Sequence, residues 1–204
     1  MTEQSTAYQV IQKCQEDQPI SWEEYCLGAA RTVSDKFYDD QVPLWVAKEI
    51  MSNFSNSGEE LDKLKKAGFY GKGTSRLTLD YIEVSNFDNE QIKLYEHWDC
   101  KVSAHQIHAI LGIATEGVEL VQALLTALEN NTELDMPNIY EEVGDINWYF
   151  ALLMSDSTEK KQLFNSILRV NLLKLSARFP NKFTQDDAIN RDLAVERIIL
   201  EQTK

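Results

Sequence analysis

A 3.6-residue apolar period, cleanly punctuated, runs through the second half of this chain and constrains its fold more than any other feature. From Ser103 to about Glu129 the apolar positions are Ile107, Ile110, Leu111, Ala114, Val118, Val121, Leu125 and Leu128, one face of a long helix. The polar run NNTELD breaks it. Asp135 can cap a second helix, and Pro137 suits its first turn. That helix carries Ile139, Val143, Ile146, Tyr149, Phe150 and Leu153. Asp156 and Glu159 have the spacing of a capping box for a third, with Leu163, Ile167, Val170, Leu173 and Leu175 as its apolar side. Arg178-Phe179-Pro180 stops it, because the residue before a proline leaves the helical region. Thr184 with Asp187 predicts a last helix from Gln185 to about Gln202.

The first half is less regular. Ser21 and Glu24 predict a capped helix running to about Tyr38, and Pro43 opens another to about Asn53. Gly58, Gly68, Gly71 and Gly73 then predict a loop-rich stretch over 56–75. Arg76 to Val84 alternates weakly through Leu77, Leu79 and Tyr81, which suits a strand or a short helix equally. No repeat or Ser/Pro linker appears. The expected architecture is therefore all-α: one domain over 1–204, an antiparallel helical bundle. Its helical core spans 103–201, and 1–102 supplies N-terminal helices and an irregular middle segment left open between β and α.

Composition narrows the partners. The 204 residues hold 33 Asp+Glu against 20 Lys+Arg, a formal charge of −13, which argues against a polynucleotide partner, since such binding rests on Lys and Arg neutralising phosphates. A small anion held through a divalent cation stays open, because the ion reverses the local sign. Cys14, Cys26 and Cys100 show no paired spacing and read as reduced thiols. The polar start MTEQSTAYQV lacks a signal core, and no 18-residue run is wholly apolar. The expectation is a cytoplasmic protein with no membrane span.

Two acid-x-x-acid pairs interrupt the most apolar helices: Glu116 with Glu119, and Glu142 with Asp145. Side chains three apart share a helix face, so each pair is a two-carboxylate claw. At this acid content the spacing also arises by chance, and a solvated face is the bland reading. Three features favour a metal site. Like charges at this spacing cost stability. Gly117 and Gly144 sit inside the pairs at about 1 kcal/mol each relative to Ala, which close approach of two helices would explain. Gly112 and Ala123 keep the same face open. If the helices pack antiparallel, four carboxylates converge, an oxygen set suited to Mg²⁺ or Mn²⁺. On the third helix Asn171, Lys174 and Arg178 share a face, either a solvated stripe or a clamp for phosphate oxygens. With no Walker-type glycine loop, acids plus bases suggest nucleotide hydrolysis by a metal-bound water.

The ordered series TEGVE (115–119), EEVGD (141–145) and NLLKLSARFPNKFTQDDAINRD (171–192) resembles the MazG-like all-α nucleoside triphosphate pyrophosphohydrolases, particularly phage-encoded members. Their pattern is EExxE, then ExxD, then an Asn-x-x-Lys helix and an Arg-Phe/Tyr-Pro segment. HAILG (108–112) and ARTVS (30–34) look like further family segments. The resemblance covers about 103–201. It implies Mg²⁺-dependent cleavage of an NTP or dNTP to monophosphate and pyrophosphate, with a small-molecule nucleotide as substrate. It also implies a helical homodimer or homotetramer, in the host cytoplasm for a phage protein. Carried over by position, Glu116, Glu119, Glu142 and Asp145 are the implied metal ligands, with Glu119 orienting the water. Asn171, Lys174, Arg178 and Lys182 are the implied phosphate-binding residues.

Two departures stand out. Thr115 replaces the first Glu of EExxE. The segment LDKLKKAGFYGKG (61–73) resembles a basic stretch that many relatives place between the acidic motifs, yet here it lies upstream. It is either an accidental match or a lid acting through Lys66 and Lys72. His97, His105 and His108 lack the Glu-x-x-His spacing of di-iron bundles, and His108 reads as a core histidine. Trp148 and Tyr149 suit nucleobase stacking or core packing. Glu141 suits support of the metal or plain solvation, and Arg191 with Asp192 suit a pair across the bundle. A catalytically inactive nucleotide sensor and a purely structural helical protein are the alternatives.

Overall fold

The computed structural model describes residues 3–34, 41–71, 101–155 and 160–201, with backbone only for 3–6 and 160–163. Among the described residues there are helices and no strand. They are α1 (Glu3–Gln15), α2 (Trp22–Ala30), α3 (Leu44–Tyr70), α4 (Ala104–Asn130), α5 (Met136–Ser155), α6 (Lys160–Arg178), α7 (Gln185–Ile189) and α8 (Leu193–Leu200). The stretch 76–84, the Asp156/Glu159 box, His97, Cys100 and Lys72 lie outside the described residues. The chain groups into two compact units, Met1–Tyr38 with Ser157–Lys204, and Asp39–Asp156. The 103–201 stretch is thus divided between them.

The first unit is built on α1, a helix that its polar start conceals. Ala7, Val10, Ile11 and Cys14 are all buried and follow the i, i+3, i+4, i+7 spacing of one helix face. Val10, Ile11, Cys14 and Ile20 form a core with Leu168 and Leu172 of α6. Burying each large aliphatic here is worth about 1.5–3 kcal/mol. Ser21 and Glu24 form the expected capping box at the start of α2, which ends at Ala30 rather than near Tyr38. The predicted last helix is two short ones, because Asp192 accepts from the backbone N–H groups of Ala194 and Val195 and starts α8 afresh. An N-cap signal inside a helical pattern competes with continuation.

The second unit holds α3, α4 and α5. Residues 56–70, expected as loop, continue α3 to a full length of 27 residues. Two causes are visible. The segment 59–66 is rich in strong helix formers, laced by Glu60–Lys63, Asp62–Lys65 and Asp62–Lys66 ion pairs. Gly58 is also a packing position: a Cβ there would run into Val118 of α4. Gly71, at φ 60, terminates the helix with its N–H bonded to the Lys66 carbonyl, the left-handed end that glycine favours.

Helices α4 and α5 run antiparallel in a readable register. Gly112 faces the Tyr149 ring, and seven residues further along α4 Glu119 meets Glu142, seven residues back along α5. Seven residues are about two turns, so both contacts lie on the same pair of faces. Among the described helices, only α4 is long and apolar enough to cross a membrane by length and composition. It carries Glu116 and Glu119 near its middle, where a charged side chain costs about 3 kcal/mol at a bilayer centre; α3 and α5 pack on it instead.

The glycines therefore divide differently from expectation. Nothing lies within 4 Å of a Cβ built at Gly117 or Gly144, so neither permits a close helix approach; Gly58 and Gly112 do. Gly58→Ala and Gly112→Ala should each destabilise by about 1–3 kcal/mol through overpacking. Gly117→Ala and Gly144→Ala should be neutral or stabilising by up to about 1 kcal/mol. Urea unfolding midpoints of the four variants check the contrast.

Candidate metal centre

Three of the four predicted carboxylates meet. Glu116, Glu119 and Glu142 each offer an oxygen, and these oxygens lie within 4.8 Å of one another. Glu116 and Glu142 are 6% and 5% exposed, whereas Glu119 is exposed. Asp145, one turn beyond Glu142, is exposed and outside that group. A cleft of about 320 Å³ opens beside the acids, with Glu119 and Glu142 on its wall next to Ala123, Thr126 and Asn138. Ala123 keeps space open there as its sequence position suggested. Gly112 does not, because it is filled against Tyr149.

Crowding of like charges shows in the acidities. Burial, then the charges of Glu119, Glu116 and Glu141, push the Glu142 carboxyl up to about 7. Burial and the neighbouring Glu116 charge raise Glu119 as well. Hard oxygen donors this close, in a partly dry setting, are a donor set that fits Mg²⁺ or Mn²⁺.

The opposite charge comes from Lys65 of α3, which sequence reasoning passed over. Its ammonium is 2.9 Å from Glu116 Oε1 and donates to Thr115 Oγ1 at 2.7 Å. Asp62 lies at 3.5 Å, and the Tyr149 ring centroid at 5.3 Å. Burial works against the charge, yet the hydrogen bond and charge of Glu116 outweigh it and hold the ammonium well above the ordinary lysine value. Thr115, 2% exposed, donates its own hydroxyl hydrogen bond to the Gly112 carbonyl at 3.0 Å. The residue that departs from the EExxE pattern is thus the seat of Lys65.

The end of the same helix adds an aromatic group. His108 stacks on Phe69 with centroids 4.1 Å apart and planes at 9°, and Trp148 and Tyr149 meet it edge-on. Tyr70 and Tyr149 share a hydroxyl hydrogen bond of 3.1 Å. Tyr149 is buried and Trp148 is 56% exposed, so Tyr149 packs while Trp148 presents a free ring surface. His108 is half-buried, and burial together with the Lys65 charge lowers its pKa. The 61–70 part of the basic segment therefore contacts the acidic motifs as the end of α3. Lys66 points to Asp62.

Asn171, Lys174, Arg178 and Lys182 belong to the other unit. Tyr25 Oη donates to Asn171 Oδ1 at 3.4 Å. Lys174 is half-buried, and Lys182 is exposed. Arg178 is committed to a bidentate pair with Glu196, Nε to Oε1 at 2.8 Å and Nη2 to Oε2 at 2.6 Å. Arg191 joins the same carboxylate at 2.8 Å, so its partner is Glu196 and not Asp192, which caps α8. These bonds to Arg178 and Arg191 hold the Glu196 carboxyl down at about 2.

No family model, curated protein or solved structure matches the chain.

Because Glu196 is more acidic folded than unfolded, its contribution to stability is complete above the ordinary Glu range and fades as pH falls from about 4.5 towards 2. Glu196→Gln should lower the melting temperature at pH 6 and flatten its decline between pH 5 and 3. Melting curves of both proteins across that range provide the check.

Proposed function

We propose that the protein is a Mg²⁺-dependent pyrophosphohydrolase acting on a nucleoside or deoxynucleoside triphosphate, of the MazG-like all-α kind that its motifs resemble. The observation that carries this reading is the meeting of Glu116, Glu119 and Glu142 beside an open cleft. Residues from two helices are gathered there at a cost in like-charge repulsion, which a bound cation relieves. Asp145, on the next turn of α5, is the fourth ligand that the resemblance implies.

The reaction joins a water oxygen to the α-phosphorus and breaks its bond to the bridging oxygen, releasing monophosphate and pyrophosphate. A Mg²⁺ ion held by these acids would acidify the water and neutralise charge on the leaving group. Glu119, solvent-facing and raised in basicity by its neighbours, orients the water and takes its proton. Phosphate contacts from Asn171, Lys174, Arg178 and Lys182 are what the resemblance implies; Arg178 is held by Glu196 within its own unit. Trp148 offers its exposed ring to the base. A cytoplasmic homodimer or homotetramer belongs to the same reading.

Thr115 favours a second reading, a catalytically inactive nucleotide sensor, since one acid of the EExxE pattern is replaced by a residue engaged with Lys65.

Pyrophosphate release from a panel of all common NTPs and dNTPs with Mg²⁺ tests the first reading. At least one should be hydrolysed, and Glu119→Gln should lower kcat by about 10²-fold or more with unchanged circular dichroism. Lys174→Ala should raise KM; an unaltered KM removes the basic stripe from the site. Silence across the panel, with a nucleotide-dependent rise in melting temperature, would establish the sensor instead.

A further inference from the structure

The mechanism above leaves Lys65 without a task, although among the described residues it is the most deeply placed cation near the acids, 4% exposed. Removing an ammonium from water is costly unless close partners replace the lost hydration. Its partners here are Glu116, Thr115 and Asp62. Thr115 contributes a neutral acceptor and leaves the positive charge unspent. Asp62 has its own partner in Lys66. The Lys65 charge is therefore directed at Glu116.

Glu116, Glu119 and Glu142 together carry three negative charges when ionised. One divalent cation and one ammonium balance them. A second divalent cation would leave an excess of positive charge among these three, which Asp145, exposed and outside the group, would offset only in part. It would also compete for Glu116 Oε1, which already accepts from Lys65 at 2.9 Å.

Resting on the metal reading above, we propose that Lys65 is a resident counter-cation of this centre, standing in for a second divalent ion so that each chain holds one. The exchange of an acid for Thr115 fits the same arrangement, because a carboxylate at 115 would take up the Lys65 charge and call for more metal. The role is one of positioning: Lys65 holds Glu116 in place and sets the ion count.

The test is a titration of chelator-treated full-length protein with Mn²⁺ alone, following free Mn²⁺ by electron paramagnetic resonance. Wild type should bind one ion per chain, Lys65→Arg one, and Lys65→Met two, with circular dichroism confirming that each variant is folded. Two ions in wild type, or one in folded Lys65→Met, overturns the role of Lys65 and leaves the metal centre standing. No ion in wild type removes the metal centre itself, and the proposal with it. The wild-type count decides between one and two ions even if Lys65→Met fails to fold.

Discussion

Three carboxylates cannot share a space a few ångströms across without a proton or a cation to balance them, and the second unit is arranged around that constraint. Helices α4 and α5 bring Glu116, Glu119 and Glu142 together. Helix α3 then places Lys65 against Glu116, while burial and mutual repulsion leave Glu142 with a carboxyl pushed up to about 7. Apolar packing supplies the driving force for such an arrangement, and the acids consume part of it. A divalent cation among the three acids would relieve that repulsion.

The register of the pair is set by size as much as by charge. Gly112 admits the Tyr149 ring, and Gly58 admits Val118. Each contact is specific because a side chain on the glycine would occupy the volume its neighbour fills. With Gly112 seated on Tyr149, the two-turn offset along both helices carries Glu119 to Glu142. Tyr149 in turn touches Tyr70 and lies beside Lys65, so the aromatic group and the acidic group are held by one set of contacts. The first unit has its own charge centre, where Glu196 gathers Arg178 and Arg191.

Much of this was legible in the residues. The starts of α2, α4 and α5 and the end of α6 follow from capping residues and prolines, whose effects are local. The acid pairs were visible because an i, i+3 spacing puts both members on one face whatever the helix packs against. Helix α1 carries the same kind of signal in the i, i+3, i+4, i+7 stripe of Ala7, Val10, Ile11 and Cys14, set behind a polar first turn. Helix α3 is masked in the sequence by its glycines. Gly58 and Gly68 read as breakers, and the contact that makes Gly58 useful lies on Val118, 60 positions away.

The local pattern of apolar, capping and acidic residues decided that this chain is helical and which carboxylates face the same way, because those properties depend on neighbours within a turn or two. Which of them meet was decided only in three dimensions. Asp145 stays outside the group, Gly117 and Gly144 face open space, and one lysine among Lys63, Lys65 and Lys66 becomes the buried partner of Glu116. Those outcomes depend on the register between helices, which is selected by the fit of side chains far apart in the chain and leaves no mark on the spacing within any one of them.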